Sequence, residues 1–261
     1  MQIKLDDVKC YILDMDGTVY LGENPIKGAR EFVERMKSSG RKTLFFTNNT
    51  SKDKKVYYQR LKRMGFDVDE SDIYSSGDVT ARFLKSERHG KSVYVVGTQN
   101  LIDLFRKEGI RIAEKGEKAD IVVSSFDTTL TYEKLVIACD LIRGGAEYIC
   151  THPDVNCPTE TGFIPDSGAI SALISLSTGV KPLVLGKPEK YTADFILSVA
   201  GYPAENIAVV GDRLYTDIAL GIKNGITGIL VLSGETTLKD CENAAPEKKP
   251  TYVAESVADI M

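Results

Sequence analysis

The chain has 261 residues, 43% of them apolar and 27% charged, and a formal net charge of −4. That length supports one large domain or two smaller ones, and the net charge argues weakly against a nucleic-acid partner, whose binders usually carry a concentrated basic face. No apolar run approaches the roughly 20 residues of a membrane span, residues 1–7 lack the apolar stretch of a signal peptide, and five cysteines without a CxxC pair fit a reducing cytoplasm.

In chain order, short apolar runs suited to buried parallel strands occur at 8–13, 43–47, 93–96, 120–123, 147–150, 183–185, 207–210 and 226–232. Helical spacing fills most of the gaps, at 28–38, 51–64, 98–107, 131–143, 168–177, 191–200 and 214–223. The stretch 242–249 is polar and helix-poor, and a last short strand is expected near Tyr252. This alternation predicts an α/β fold of parallel sheets with helical crossovers.

Four of the runs lead into a polar residue: Asp14, Thr47, Lys187 and Asp212. In open α/β sheets, ligands bind beyond the carboxyl ends of strands. The segment from Gly77 to Lys181 has its own strand–helix alternation and none of these four groups. The expected arrangement is therefore one domain made from residues 1–76 and 182–261, with a second, 77–181, inserted into it.

The four groups suit one chemistry. In Asp14-Met15-Asp16-Gly17-Thr18, Gly17 permits a tight turn, and residues two apart on a strand point the same way. Two carboxylates so placed favour a shared proton or a bound cation. Thr47, with the N–H groups of Asn48 and the turn beyond it, suits an anion. Pro188, after Lys187, is placed to open a helix. Asp217 lies five residues after Asp212, where it reads either as a site residue or as favourable charge in a helix's first turn. A carboxylate approaching a phosphate is repelled by about 4 kcal/mol per charge pair at 4 Å and an effective dielectric near 20. A bridging cation and a lysine reverse that penalty. Mg²⁺ suits an all-oxygen site of this kind, with Asp14 and Asp212 as side-chain ligands.

The set Asp14-Met15-Asp16-Gly17-Thr18, Thr47-Asn48, Lys187 and Gly211-Asp212…Asp217 resembles the four motifs of the haloacid dehalogenase-like phosphatases, in the same order and over nearly the whole chain. The longer strings Thr151-His152-Pro153-Asp154…Pro158-Thr159…Gly162…Pro165-Asp166-Ser167-Gly168-Ala169-Ile170 and Gly211-Asp212-Arg213-Leu214-Tyr215-Thr216-Asp217 look like the NagD/4-nitrophenylphosphatase branch. The resemblance implies a Rossmann-like core with a large C2-type α/β cap between the second and third motifs. By it, Asp14 attacks phosphorus to form an aspartyl-phosphate. Asp16 acts as acid and then base, and also ligates Mg²⁺ through its carbonyl. Thr47, the Asn48 N–H and Lys187 hold the phosphoryl oxygens, and Asp217 orients Lys187 or a metal-bound water. His152 and Asp154 fall where the family's cap loop meets substrate. Related sequences commonly have Asn at the place of His152, which reads equally well as an ordinary polar loop residue.

The expected activity is hydrolysis of a small phosphorylated metabolite and of p-nitrophenyl phosphate. The alternatives are a phosphotransferase or phosphomutase using the same residues, and a non-catalytic binding module, against which every motif residue is present. No GxGxxG or Walker A motif supports NAD or ATP binding. A cap of this size offers enough surface to pair two chains as a homodimer.

Overall fold

The structure is a computed structural model that describes residues 5–159 and 161–260. The chain folds as two compact units. One contains the chain up to Thr47, Lys54–Tyr74, and everything from Lys187 onward; the other contains Asn48–Asp53 and Ser75–Gly186.

The first unit is built on a six-stranded sheet ordered Tyr252–Ala254, Thr227–Val231, Ile207–Gly211, Cys10–Leu13, Lys42–Thr47, Ile73–Ser75. Cys10–Leu13 runs parallel to both its neighbours, Cys10 opposite Ile207 and Lys42, Leu13 opposite Val210 and Phe45. All four of its residues are buried, as expected for a strand covered on both faces. The helix Ala29–Ser38 turns Ala29, Phe32, Val33 and Met36 inward, a 3.6-residue stripe. Phe32 meets Tyr11 edge-on at 5.3 Å between ring centroids. The carboxyl ends of Cys10–Leu13, Lys42–Thr47 and Ile207–Gly211 therefore come together at one edge of a packed sheet.

The second unit carries a five-stranded, all-parallel sheet ordered Leu183–Val184, Glu147–Cys150, Ile121–Ser124, Ser92–Val96, Arg111–Ile112. Its crossovers include Gln99–Lys107, Tyr132–Arg143 and Ser167–Thr178. An antiparallel hairpin, Asn156–Thr159 with Gly162–Pro165, precedes the last of these helices.

Both unit edges differ from the sequence expectation. Gly77 opens no domain; it sits in the first turn of the helix Ser76–Glu87, which Ser75 caps by accepting from the Gly77 N–H while the Asp78 carboxylate reaches back to the Ser75 N–H. At the far end, Leu183–Val184 pairs with Glu147–Cys150, so the second unit extends to Gly186 rather than 181. The stretch 214–223 is a single π-helical turn, Leu214–Ile218, followed by the short helix Ala219–Asn224. The polar tail holds the end of a helix, Leu238–Asn243, before the expected strand at Tyr252. Among the described residues no helix is long and apolar enough to cross a membrane.

Thr227, on a fully buried strand, has a hydroxyl without a hydrogen-bond partner. Burying such a group costs roughly 1–3 kcal/mol. Thr227→Val replaces it with a methyl of similar shape and is expected to raise stability by about 1 kcal/mol, read from the urea midpoint at unchanged m-value.

Candidate active site

Asp14 follows the strand Cys10–Leu13 by one residue, and its N–H extends the ladder by donating to the Val210 carbonyl at 2.9 Å. The backbone then turns at Met15, whose carbonyl accepts from the N–H groups of Thr18, Val19 and Tyr20. Strand alternation thus ends before Asp16, which instead bridges to Tyr20. The Tyr20 hydroxyl donates to Asp16 Oδ2 at 3.4 Å. Burial, and then the Asp16 charge, hold that phenol well above its usual pKa, so it stays a donor. Gly17 makes the turn at φ +85°, and a Cβ there would fall 2.5 Å from Asp212 Oδ2. Both its conformation and its missing side chain are needed.

Lys187 is the electrostatic centre of this unit. Its ammonium donates to Asp14 Oδ1 and to Asp217 Oδ1, each at 2.6 Å, and to the Phe46 carbonyl at 3.3 Å. Burial alone would lower the lysine's pKa, but Asp14 and Asp217 outweigh it and hold the ammonium above its usual value. Asp217 is fixed on its other oxygen by the Arg213 N–H and the Thr216 hydroxyl. Its carboxylate fills the space where a side chain at Gly211 would be, 2.2 Å from that position. Asp217 accepts from Lys187 out of a π-helical turn rather than from a helix start. Pro188 follows a cis peptide bond and opens no helix; the next one begins at Lys190, with Glu189 at its N-cap position making no side-chain cap.

Asp212 completes the cluster. Its Oδ2 accepts from the Glu235 N–H at 2.7 Å, and a Cβ on Gly234 would fall 2.0 Å from the same oxygen. The loop 233–236 also donates from Ser233 Oγ to the Gly17 carbonyl at 2.7 Å. These loop contacts were not anticipated, although Ser233-Gly234-Glu235 follows a buried strand as the other motifs do. Carboxylate oxygens of Asp14, Asp212 and Asp217 lie within 4.8 Å of one another.

A divalent cation fits this donor set. Asp212 Oδ1 is buried without a hydrogen-bond partner. Burial, and then the Asp217 charge, push the Asp212 carboxyl up to about 6. Burial and the charges of Asp217 and Asp212 likewise raise Asp14, against the pull of Lys187. Carboxylates this strained by their own charge are relieved by a bound cation.

Thr47 ends the strand Lys42–Thr47 in the first unit and is buried. Asn48 is the first residue of the second unit, and its side-chain amide donates to both oxygens of Asp154 at 3.3 Å. His152 is fully buried, with Nε2 at 2.9 Å from Asp166 Oδ1 and Nδ1 at 3.0 Å from Thr151 Oγ1. The structure thus brings Asp14, Lys187, Asp212 and Asp217 into direct contact or proximity, places Asp16 on the turn beside Asp14, and gathers Asn48, His152 and Asp154 in the second unit.

A parallel sheet with carboxylates at the mouth of its central strand and a lysine bridging two of them defines a family, and comparison with known proteins gives the same answer. The model of haloacid dehalogenase-like hydrolases matches residues 11–111, and a HAD-hydrolase-like model matches 184–260. The chain belongs to the haloacid dehalogenase-like hydrolases. It is 36% identical over 256 residues to an acid sugar phosphatase of Staphylococcus aureus, covering 97% of this chain and 98% of that protein. The structure of 4-nitrophenylphosphatase from Thermotoga maritima superposes with a TM-score of 0.93 at 43% identity, covering 98% of this chain and 97% of that one. Glycerol phosphate phosphatase from Mycobacterium tuberculosis, solved in complex with calcium, gives 0.91 at 30% identity, covering 98% and 75%. The NagD/4-nitrophenylphosphatase branch read from the sequence is thereby borne out.

Proposed function

We propose that this chain is a Mg²⁺-dependent phosphomonoesterase that hydrolyses a small phosphorylated metabolite, of which sugar phosphates are the leading class, and p-nitrophenyl phosphate in vitro. The observation that carries the reading is Lys187 bridging Asp14 and Asp217 beside Asp212, whose second oxygen lacks a partner. The names of the similar proteins support the phosphoryl chemistry and the sugar-phosphate class.

In this mechanism Asp14 attacks phosphorus as a carboxylate, fixed by Lys187 through Oδ1. The bond from phosphorus to the leaving oxygen breaks, and Asp16 gives that oxygen its proton. Asp16 then takes a proton from water, whose oxygen attacks phosphorus and displaces Asp14 with its carboxylate restored. Acid–base help of this kind contributes about 10²–10⁴-fold. Thr47, the Asn48 N–H and Lys187 bind the phosphoryl oxygens, and Asp217 keeps Lys187 charged and aimed. Asp14 and Asp212 side chains and the Asp16 carbonyl would hold Mg²⁺, which supplies neutralising charge between carboxylates and phosphoryl oxygens.

The test is release of inorganic phosphate from a panel of sugar phosphates and p-nitrophenyl phosphate, with Mg²⁺ or with EDTA. Turnover lost in EDTA is expected, while phosphate transferred to a sugar instead of released would replace hydrolysis with phosphotransfer. A second readout needs no turnover. Mg²⁺ at about a hundred times its Kd stabilises by about 2.7 kcal/mol, and each kcal/mol shifts Tm by roughly 2–4 °C in a chain of this size. That rise is expected in the unmodified protein and absent in Asp212→Asn. A rise of equal size in Asp212→Asn would place the cation elsewhere.

A further inference from the structure

Thr47 and Lys187 are each joined by a single peptide bond to the second unit, at Asn48 and Gly186. Both of those residues are gripped there by one buried polar network. The Asn48 amide donates to both Asp154 oxygens at 3.3 Å, and the Asn48 carbonyl accepts from Ser76 Oγ at 2.5 Å. Ser76 Oγ lies 3.4 Å from His152 Nδ1. His152 Nε2 lies 2.9 Å from Asp166, which caps the helix Ser167–Thr178 by accepting from the Ser167 N–H.

Two glycines let the parts close on one another. A Cβ on Gly186 would fall 2.5 Å from the Thr151 carbonyl, 2.6 Å from His152 Cβ and 2.9 Å from Asn48 Oδ1. A Cβ on Gly168 would fall 2.2 Å from the Pro153 carbonyl, and the Gly168 N–H donates to the Asp154 carbonyl at 2.7 Å. The rest of the excursion 48–53 is tied down as well. Thr50 Oγ1 accepts from the Phe126 N–H, and the Ser51 carbonyl accepts from Thr98 Oγ1 and Asn100 Nδ2.

We propose that Ser76, His152 and Asp154 are positioning residues for phosphoryl binding: they fix Asn48 and Gly186, and through the adjoining peptide bonds set Thr47 and Lys187. This rests on the phosphatase reading above and changes the part played by His152 and Asp154, which hold the phosphoryl end rather than touch the leaving group. His152 is fully buried with protein partners at both ring nitrogens, and a substrate hydroxyl could bind it only by breaking one of those buried bonds. A group misplaced by 1 Å in a catalytic site costs as much as about 10²-fold in rate, so a rigid anchor next to each phosphoryl-binding residue has a large effect from a distance.

The experiment pairs calorimetric binding of inorganic phosphate with kcat/KM for p-nitrophenyl phosphate, ribose 5-phosphate and glycerol 1-phosphate, in variants shown to be folded by circular dichroism. Asp154→Ala is expected to weaken inorganic phosphate binding about tenfold and to lower kcat/KM by a similar factor for all three substrates. Asp154→Asn, which keeps an acceptor for the Asn48 amide, is expected to recover most of both. Where Asp154→Ala does not fold, Ser76→Ala removes only a hydroxyl from the same network and is expected to give the same pattern at smaller size. Unchanged phosphate affinity, with losses that differ among the three leaving groups, would overturn the proposal. Failure of the unmodified protein to release phosphate from any of the three would instead remove the phosphatase reading, and the binding measurement separates the two failures.

Discussion

Asp14→Asn is expected to leave a folded protein whose phosphate release falls by at least about 10⁴-fold, the scale of loss when a covalent nucleophile is removed. The side chain is held by an interaction an amide can keep in weaker form, since Lys187 donates to Oδ1 at 2.6 Å and an amide oxygen still accepts there. The backbone bond from Asp14 N–H to Val210 is untouched. Asp14 is also the accessible member of the trio with Lys187 and Asp217, its side chain 14% exposed against 3% and 1%. Neutralising it removes the cost of burying its charge, the main cause of its raised pKa, and relieves repulsion with Asp217 and Asp212. The metal-free variant is therefore expected to melt no lower than the parent. Phosphate release within tenfold of the parent would end the assignment of Asp14 as nucleophile.

Lys187→Met is expected to damage stability as well as chemistry. The ammonium is the shared partner of the buried Asp217 carboxylate and the part-buried Asp14 carboxylate, and a buried ion pair broken on one side typically costs about 3–5 kcal/mol because the other charge is left uncompensated. The variant should lose that much in urea unfolding under EDTA, and kcat/KM should fall by about 10²–10³-fold from lost electrostatic stabilisation. Combining Asp14→Asn with Lys187→Met removes one of the stranded carboxylates and should recover part of the lost stability, a coupling that a double-mutant cycle measures directly. Full stability in Lys187→Met alone would show that the ammonium does not hold the cluster together.

The first unit was legible because its signals are local. An apolar run ending in Asp14, a run ending in Thr47, and Gly211-Asp212 after Ile207–Val210 each show in a few consecutive residues where a buried strand stops and chemistry begins. Most of the strands and helices were readable from period alone for the same reason. Misses arose where structure depends on partners far along the chain. The hairpin strands Asn156–Thr159 and Gly162–Pro165 are largely exposed and carry little apolar alternation. The strand Ile73–Ser75 and the helix after it were hidden by a polar stretch, although Ser75…Asp78 is a capping box in plain view. The grip of loop 233–236 on Asp212 depends on backbone N–H groups and the missing side chain of Gly234, neither of which has a residue-type signature. The Asn48–Asp154 pair joins residues 106 apart, and nothing local in either predicts the other.

The sheet order of the first unit also sets a timetable for synthesis. Cys10–Leu13 can pair with Lys42–Thr47 as soon as that strand emerges, but its other neighbour, Ile207–Gly211, is made about two hundred residues later. Ser75–Gly186, by contrast, holds all five strands of its own sheet in one uninterrupted stretch. The inserted unit is thus complete on the ribosome while the strand leading to Asp14 still has an open edge. A ribosome stalled far enough beyond residue 186 for Gly186 to clear the exit tunnel, but not Ile207–Gly211, should present a folded insert and an unfinished six-stranded sheet, and the loop closure that joins 10–13 to 207–211 is the late, slow contact.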